Sequence, residues 1–260
     1  MKVVLFCGGL GLRMREYSDR VPKPMVPIGY RPVLWHLMRY YAHYGHNDFI
    51  LCLGHQGDVI KQYFLEYSEA ISNDFVLSGG GKEVKLLNSD IESWTITFVD
   101  TGLQANIGER LMAVREHVAG EETFLANYAD GLSDVRLDEV VDLHRAEEAV
   151  ATFISVVPHT SFHLVEVGAD NHVTSVRDAA SAGVRINGGY FVLDQSIFEH
   201  MEPGDELVVE PFERLIKESR LLAYRHDGFW AGMDTFKDRQ TLEDLHQAGV
   251  APWQVWDSEG

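Results

Sequence analysis

Cysteine is scarce. Only Cys7 and Cys52 occur, each inside an apolar run, VVLFC and FILCL. There is no CxxC pair and no disulfide framework, so a zinc ribbon and a stapled secreted scaffold are both excluded. Buried, reduced thiols fit a cytoplasmic protein. Long apolar runs are absent too. No stretch approaches the roughly 18 residues of a membrane span. The N-terminal MKVVLFCGG reaches glycines too soon for a secretory leader. Positive charge is also in short supply: 22 Lys and Arg stand against 40 Asp and Glu, a formal charge of −18. That field repels a nucleic-acid backbone or an anionic membrane. A phosphorylated small molecule is admitted only where a local cationic pocket or a metal ion overrides it. Twelve histidines are present, but they form neither HExxH nor a tight ligand pair, and no G-x-S-x-G elbow supports triad hydrolysis.

Repeats, low-complexity segments and linkers are lacking as well. With 260 residues, 45% of them apolar, the chain reads as a single domain over residues 1–260. VVLF and DFILCL are continuous apolar runs of the buried parallel-strand kind. Each precedes a segment with apolar residues at helical spacing, Pro32 to Tyr44 and Asp58 to Tyr67. That alternation predicts an α/β fold, Rossmann-like, with a mixed, mostly parallel sheet flanked by helices. KEVKLL and TITFVD read as shorter strands, TFLANYADG as a strand entering a loop, and ATFISVV as another strand. Helices are expected over Arg110 to His117, Leu137 to Ala146, Pro211 to Glu218 and Thr241 to Gln247. LVEVG, VTSVRD and GGYFVL suggest a small β-rich insertion, an antiparallel patch apart from the main sheet.

Four places could carry chemistry. Gly8, Gly9 and Gly11, in GGLGLR, follow the first strand, where backbone N–H groups can approach an anion closely. The spacing is neither a Walker loop nor GxGxxG, and a tight turn would use the same glycines. Arg13 adds a guanidinium suited to phosphate. Lys23 lies between Pro22 and Pro24, whose fixed φ angles place its ammonium. Asp130 and Asp234 each follow a predicted strand, at the sheet edge where open α/β folds bind ligands. Each would also serve as a turn or cap residue. As a pair they suit Mg²⁺, which takes carboxylates together with substrate phosphates and water.

In order, GGLGLR, VPKPM, PVLWHLMRYYAHYG, VDTG, YADG, INGGYFVL, GFWAGMDT and APWQVW resemble the sugar-phosphate nucleotidyltransferases. The resemblance covers residues 1 to about 256 and is nearest the glucose 1-phosphate cytidylyltransferase branch. It implies attack by a sugar 1-phosphate oxygen on the α-phosphorus of a nucleoside triphosphate, CTP in that branch, with pyrophosphate leaving. It implies that Gly8, Gly9 and Gly11 cradle the nucleotide and that Arg13 holds the β- and γ-phosphates. Lys23 would bridge the α-phosphate and the acceptor phosphate, and Asp130 and Asp234 would hold Mg²⁺. Arg110 matches an arginine of the base-side loop, and Asn187, Gly188 and Gly189 match the sugar pocket. A homo-oligomer is implied as well.

The sequence also departs from that pattern. Leu12 replaces a threonine, Gly108-Glu109-Arg110 replaces Gly-Gly-Arg, and Ala129-Asp130-Gly131 replaces Gly-Asp-Gly. Asp178-Ala179-Ala180 stands where the family has Glu-Lys-Pro, and Ser161-Phe162-His163 where it has Arg-Phe-Gly. Losing the lysine removes a charge-assisted phosphate contact, about 1.5–3 kcal/mol. Arg177 and Arg185 are the cations near enough in sequence to replace it. These changes predict an acceptor other than glucose 1-phosphate, such as a modified sugar phosphate. Two alternatives stand beside this: a non-catalytic nucleotide-binding homologue, and a nucleotidyltransferase for UTP or dTTP.

Overall fold

The computed structural model describes residues 1–9, 21–158, 163–178 and 183–257. Strand β1 (Val3–Phe6) opens the chain. A short hairpin, β2 (Pro27–Ile28) and β3 (Arg31–Pro32), precedes helix α1 (Val33–His43). β4 (Asp48–Leu53), α2 (Gly57–Leu65) and a second hairpin, β5 (Phe75–Ser78) with β6 (Glu83–Leu86), follow. β7 (Thr95–Asp100) leads into α3 (Ile107–Ala113), and β8 (Thr123–Tyr128) into β9 (Gly131–Ser133) and α4 (Leu137–Ala146). Then come β10 (Ala151–Val156), a third hairpin of β11 (His163–Val167) and β12 (Val173–Asp178), β13 (Ile186–Asn187) and β14 (Phe191–Asp194). α5 (Glu210–Lys217), β15 (Leu221–Arg225), β16 (Trp230–Gly232) and α6 (Phe236–Gln247) complete the order.

The central sheet runs β13-β10-β14-β8-β1-β4-β7, with β15 also paired to β10. β8, β1, β4 and β7 are parallel neighbours. β14 is antiparallel to both β8 and β10. Side chains on a strand alternate between faces, and β1 feeds both cores. Val3, Leu5 and Cys7 join the layer with α1, α2 and α4. Val4 and Phe6 join the layer with α3 and α5. A strand buried on both faces must be apolar throughout, which is why VVLF shows no alternation. Among the described residues no helix is long and apolar enough to cross a membrane.

Two expectations need correction. GGYFVL is not part of an outlying patch, because Phe191–Asp194 sits between β8 and β10 inside the main sheet. LVEVG and VTSVRD do pair with each other, as the hairpin β11–β12. TITFVD is a strand as expected, the sheet's outer parallel one beside β4. The last helix starts at Phe236, five residues before the expected Thr241. Thr235 accepts a hydrogen bond from Asp238 N, and the Asp238 carboxylate accepts from Thr235 N, a reciprocal cap that fixes the start.

Candidate active site

The parallel strands β1, β4, β7 and β8 all deliver their carboxyl ends to one edge of the sheet. Arg110 ties three of those ends together. Its guanidinium donates to the carbonyls of Gly8 (2.9 Å) and Leu53 (3.1 Å) and to Thr101 Oγ1 (2.7 Å). It is almost fully buried. A Cβ on Gly8 would lie 2.2 Å from the Arg110 Cζ, so only glycine permits this approach. The resemblance assigned Arg110 to the nucleotide. The structure places its guanidinium against Gly8, Leu53 and Thr101, where it acts as a positioning group. Arg110→Ala removes a donor from the Gly8 carbonyl, while the Leu53 carbonyl keeps Thr101 N and Oγ1. The substitution should cost about 2 kcal/mol in urea unfolding and raise the KM for triphosphate. Unchanged unfolding would refute this role.

Glu109 also has a structural reason. Asn106 Oδ1 accepts from Glu109 N (2.8 Å), and Glu109 accepts from Asn106 N (2.9 Å). This capping box starts α3. The acid that departs from the family pattern therefore faces back onto its own helix end.

Lys23 sits on a single helical turn fixed by the two prolines. Its Nζ lies 2.5 Å from Asp130 Oδ2 and 2.7 Å from Asp234 Oδ1. The sequence separation is wide, yet β9 and β16 pair through Gly131 and Gly232, which brings Asp130 and Asp234 together. Burial disfavours the lysine's charge, but the two carboxylates outweigh it and hold its pKa above the ordinary lysine value. A cavity of about 160 Å³ opens over this group, lined by Phe6, Gly9, Lys23, Ile107, Tyr128 and Asp130 among others. One end offers charge and the other an apolar, aromatic wall.

The approach to Asp234 is clamped. His226 Nε2 lies 3.0 Å from Asp134 Oδ1 and 3.1 Å from the Phe229 carbonyl. Phe229 N donates to Asp134 Oδ1, and Ser133 Oγ donates to the Phe229 carbonyl. Burial works against the charged imidazole, yet Asp134, the Phe229 carbonyl and Asp227 raise its pKa overall. A raised folded pKa gives stability that is complete below about 6.5, the unfolded value, and lost as pH rises through the folded value. His226→Gln should therefore flatten the fall in thermal stability above neutral pH. A variant as pH-dependent as the parent would contradict the clamp.

On the far side, Asn187 Oδ1 accepts from Gly189 N (2.8 Å), and its Nδ2 lies 3.4 Å from the Tyr128 hydroxyl. Trp230 Nε1 donates to the Gly188 carbonyl (2.8 Å). Gly189 has φ +77°, and a Cβ there would lie 2.3 Å from Asn127 Oδ1, so the turn requires glycine. The turn thus lies between β16 and β8, near the aspartate pair. Arg185 does not stand free for a phosphate. It donates to Ser155 Oγ (2.8 Å), the Ser155 carbonyl, the His226 carbonyl (2.7 Å) and Asp227 (2.7 Å). Arg177 is exposed on the β11–β12 hairpin and pairs with Glu166, and Asp178 ends the same hairpin. Both arginines have partners here, Arg185 at four acceptors and Arg177 in an exposed pair with Glu166. Gly11 and Arg13 lie outside the described residues, as do Leu12, Ser161, Phe162, Ala179 and Ala180. Among the described residues no three His, Cys, Asp or Glu side chains gather as a metal cluster. His36 and His144 are buried, and burial lowers both to about 4. Tyr128, Trp230 and the Asp134–His226 pair escaped the sequence reading. Only the T-x-x-D cap at 235–238 left a local signal.

The nucleotidyl transferase family model matches residues 2–237. The chain is 37% identical over 258 residues to the glucose-1-phosphate cytidylyltransferase of Salmonella typhimurium, covering 99% of this chain and 100% of that one. It is equally identical over 258 residues to a Bacillus subtilis protein named a probable glucose-1-phosphate cytidylyltransferase, covering 98% and 100%. The solved UDP-glucose pyrophosphorylase complexed with UDP-glucose shares the fold, with TM-score 0.69, 15% identity, and coverage of 95% and 98%. The chain belongs to the nucleotidyl transferase family.

Proposed function

We propose that the chain transfers the cytidylyl group of CTP to a sugar 1-phosphate or related phosphorylated acceptor. An acceptor phosphate oxygen attacks the α-phosphorus, a new P–O bond forms, the bond to the β-phosphate breaks, and pyrophosphate leaves. The acceptor phosphate is already anionic, so the protein need not remove a proton. Positioning and charge neutralisation carry such a reaction. The observation that carries this reading is Lys23 held between Asp130 and Asp234 in a cavity that Gly9 also lines.

Two carboxylates that converge on one ammonium also fit a small hard cation, with phosphates and water completing its shell. Asp130 and Asp234 would hold Mg²⁺, whose charge would offset that of the triphosphate. Lys23 would contact the α-phosphate and the acceptor phosphate. Arg13, in the segment after Gly9, would hold the β- and γ-phosphates. Phe6, Ile107 and Tyr128 offer the apolar wall that a pyrimidine needs. The test is product identity by mass spectrometry after incubation with CTP, Mg²⁺ and a panel of phosphorylated acceptors. A CDP-linked product is expected. Nucleotide-linked product from UTP or dTTP alone would overturn the choice of base.

A further inference from the structure

The face of the sheet that carries Tyr128 also carries a second groove, of about 460 Å³. It lies between α5 and the β10–β13 edge. Phe153, Ile186, Val208, Val209, Phe212 and Ile216 form most of its surface. The Phe153 and Phe212 rings stack at its base, with centroids 5.7 Å apart and planes at 21°. The groove adjoins the reaction cleft at one contact, between Asn187 of its lining and Tyr128 of the cavity's. Asn187 lines it, and the Asn187 Nδ2 reaches the Tyr128 hydroxyl, which borders the cavity above Lys23. The register explains the junction. Asn187 pairs with Ser155, so both side chains take the face of Phe153, two residues away on the same strand.

The groove's charges limit what it can hold. Arg185 is at its border, but its guanidinium is engaged by Ser155, Asp227 and His226. Glu213 lies at the rim, which disfavours a second phosphate. Where the family resemblance places a phosphate-binding lysine, the sequence reads Asp178-Ala179-Ala180 and supplies no cation. An acceptor with fewer ionic contacts needs another source of affinity, and removing apolar surface from water supplies it.

We infer that this groove is an acceptor subsite for the apolar, non-reacting part of a phosphate monoester. The acceptor's phosphate sits by Lys23, its first carbons pass Asn187, and its apolar remainder lies along α5. The inference rests on the proposed transfer for its phosphate end only; binding in the groove can be measured without turnover. Deoxygenated sugar phosphates and alkyl phosphates share this chemistry, and the test separates them.

The probes are glucose 1-phosphate, 6-deoxyglucose 1-phosphate and octyl phosphate, with saturating CTP and Mg²⁺. The wild type should use at least one apolar probe with kcat/KM about tenfold or more above glucose 1-phosphate. Preference for the deoxy sugar identifies a sugar acceptor, and preference for octyl phosphate an alkyl one. Ile216 is 62% exposed and Val209 is 44% exposed, so Ile216→Glu and Val209→Asp should fold normally. Each should raise the KM of the preferred apolar probe about tenfold and leave the KM for CTP unchanged. Calorimetric binding of that probe should weaken in parallel, which holds even if no probe turns over. Equal binding of the probes by parent and variants, or no binding by the parent, overturns the subsite. If Ile216→Glu changes only the sedimentation behaviour, the groove is a contact between copies and the inference fails. Failure of the transfer reading looks different: no product from any acceptor, with apolar probe binding intact and sensitive to Ile216→Glu.

Discussion

Lys23→Ala is expected to lower turnover by about 10²–10³-fold, the usual loss when one pre-placed charge is removed from a transition state. The chain should stay folded. Lys23 is largely buried but Asp234 is half exposed, and the site opens to solvent through its cavity. Water therefore screens the two aspartates once the ammonium is gone, and stability should fall by only about 1 kcal/mol. Lys23→Arg keeps the charge but replaces a compact ammonium with a planar fork. It should recover only part of the rate, because the pocket between Asp130 and Asp234 holds a single nitrogen. Steady-state pyrophosphate release and a thermal melt, taken together, check both halves. Near-normal turnover in Lys23→Ala would remove this lysine from the reaction.

Asp130→Asn and Asp234→Asn form the second large prediction. Either should lower kcat by about 10²-fold at a fixed, moderate Mg²⁺ concentration. Each should also move the midpoint of a Mg²⁺ titration upwards, because a neutral amide is a poorer partner for a hard cation. Of the two, Asp130 sits deeper, at 29% exposure against 50% for Asp234. Asp130→Asn should be the harder to rescue with added metal. An unchanged titration midpoint in both variants would assign the aspartates to Lys23 alone.

The fold was legible where the chain buries strands on both faces. VVLF and DFILCL carry no alternation, and both are central parallel strands. Leu137 to Ala146 was legible from spacing because α4 covers the sheet with one apolar side. GGYFVL misled because its antiparallel partners are far away in sequence, and local pattern carries no record of pairing. The candidate site was legible as residue types at strand ends. Lys23, Asp130 and Asp234 meet, although 211 residues separate the first from the last. The roles of Arg110, Arg185 and Glu109 were not legible. Each is decided by which carbonyl, carboxylate or N–H lies within reach, and that is a property of packing. Arg110 reaches Gly8 across 102 residues, and no spacing rule predicts such a contact.

The central claim is transfer of a nucleotidyl group from CTP at the Lys23–Asp130–Asp234 site. Its most direct measurement is pyrophosphate release with Mg²⁺, across CTP, UTP, ATP, GTP and dTTP, each against a panel of sugar 1-phosphates and other phosphorylated acceptors. The account predicts acceptor-dependent release that is fastest with CTP and lost in Lys23→Ala. Acceptor-dependent release that is equal in the wild type and Lys23→Ala, or no release from any pair while CTP still binds, would contradict it.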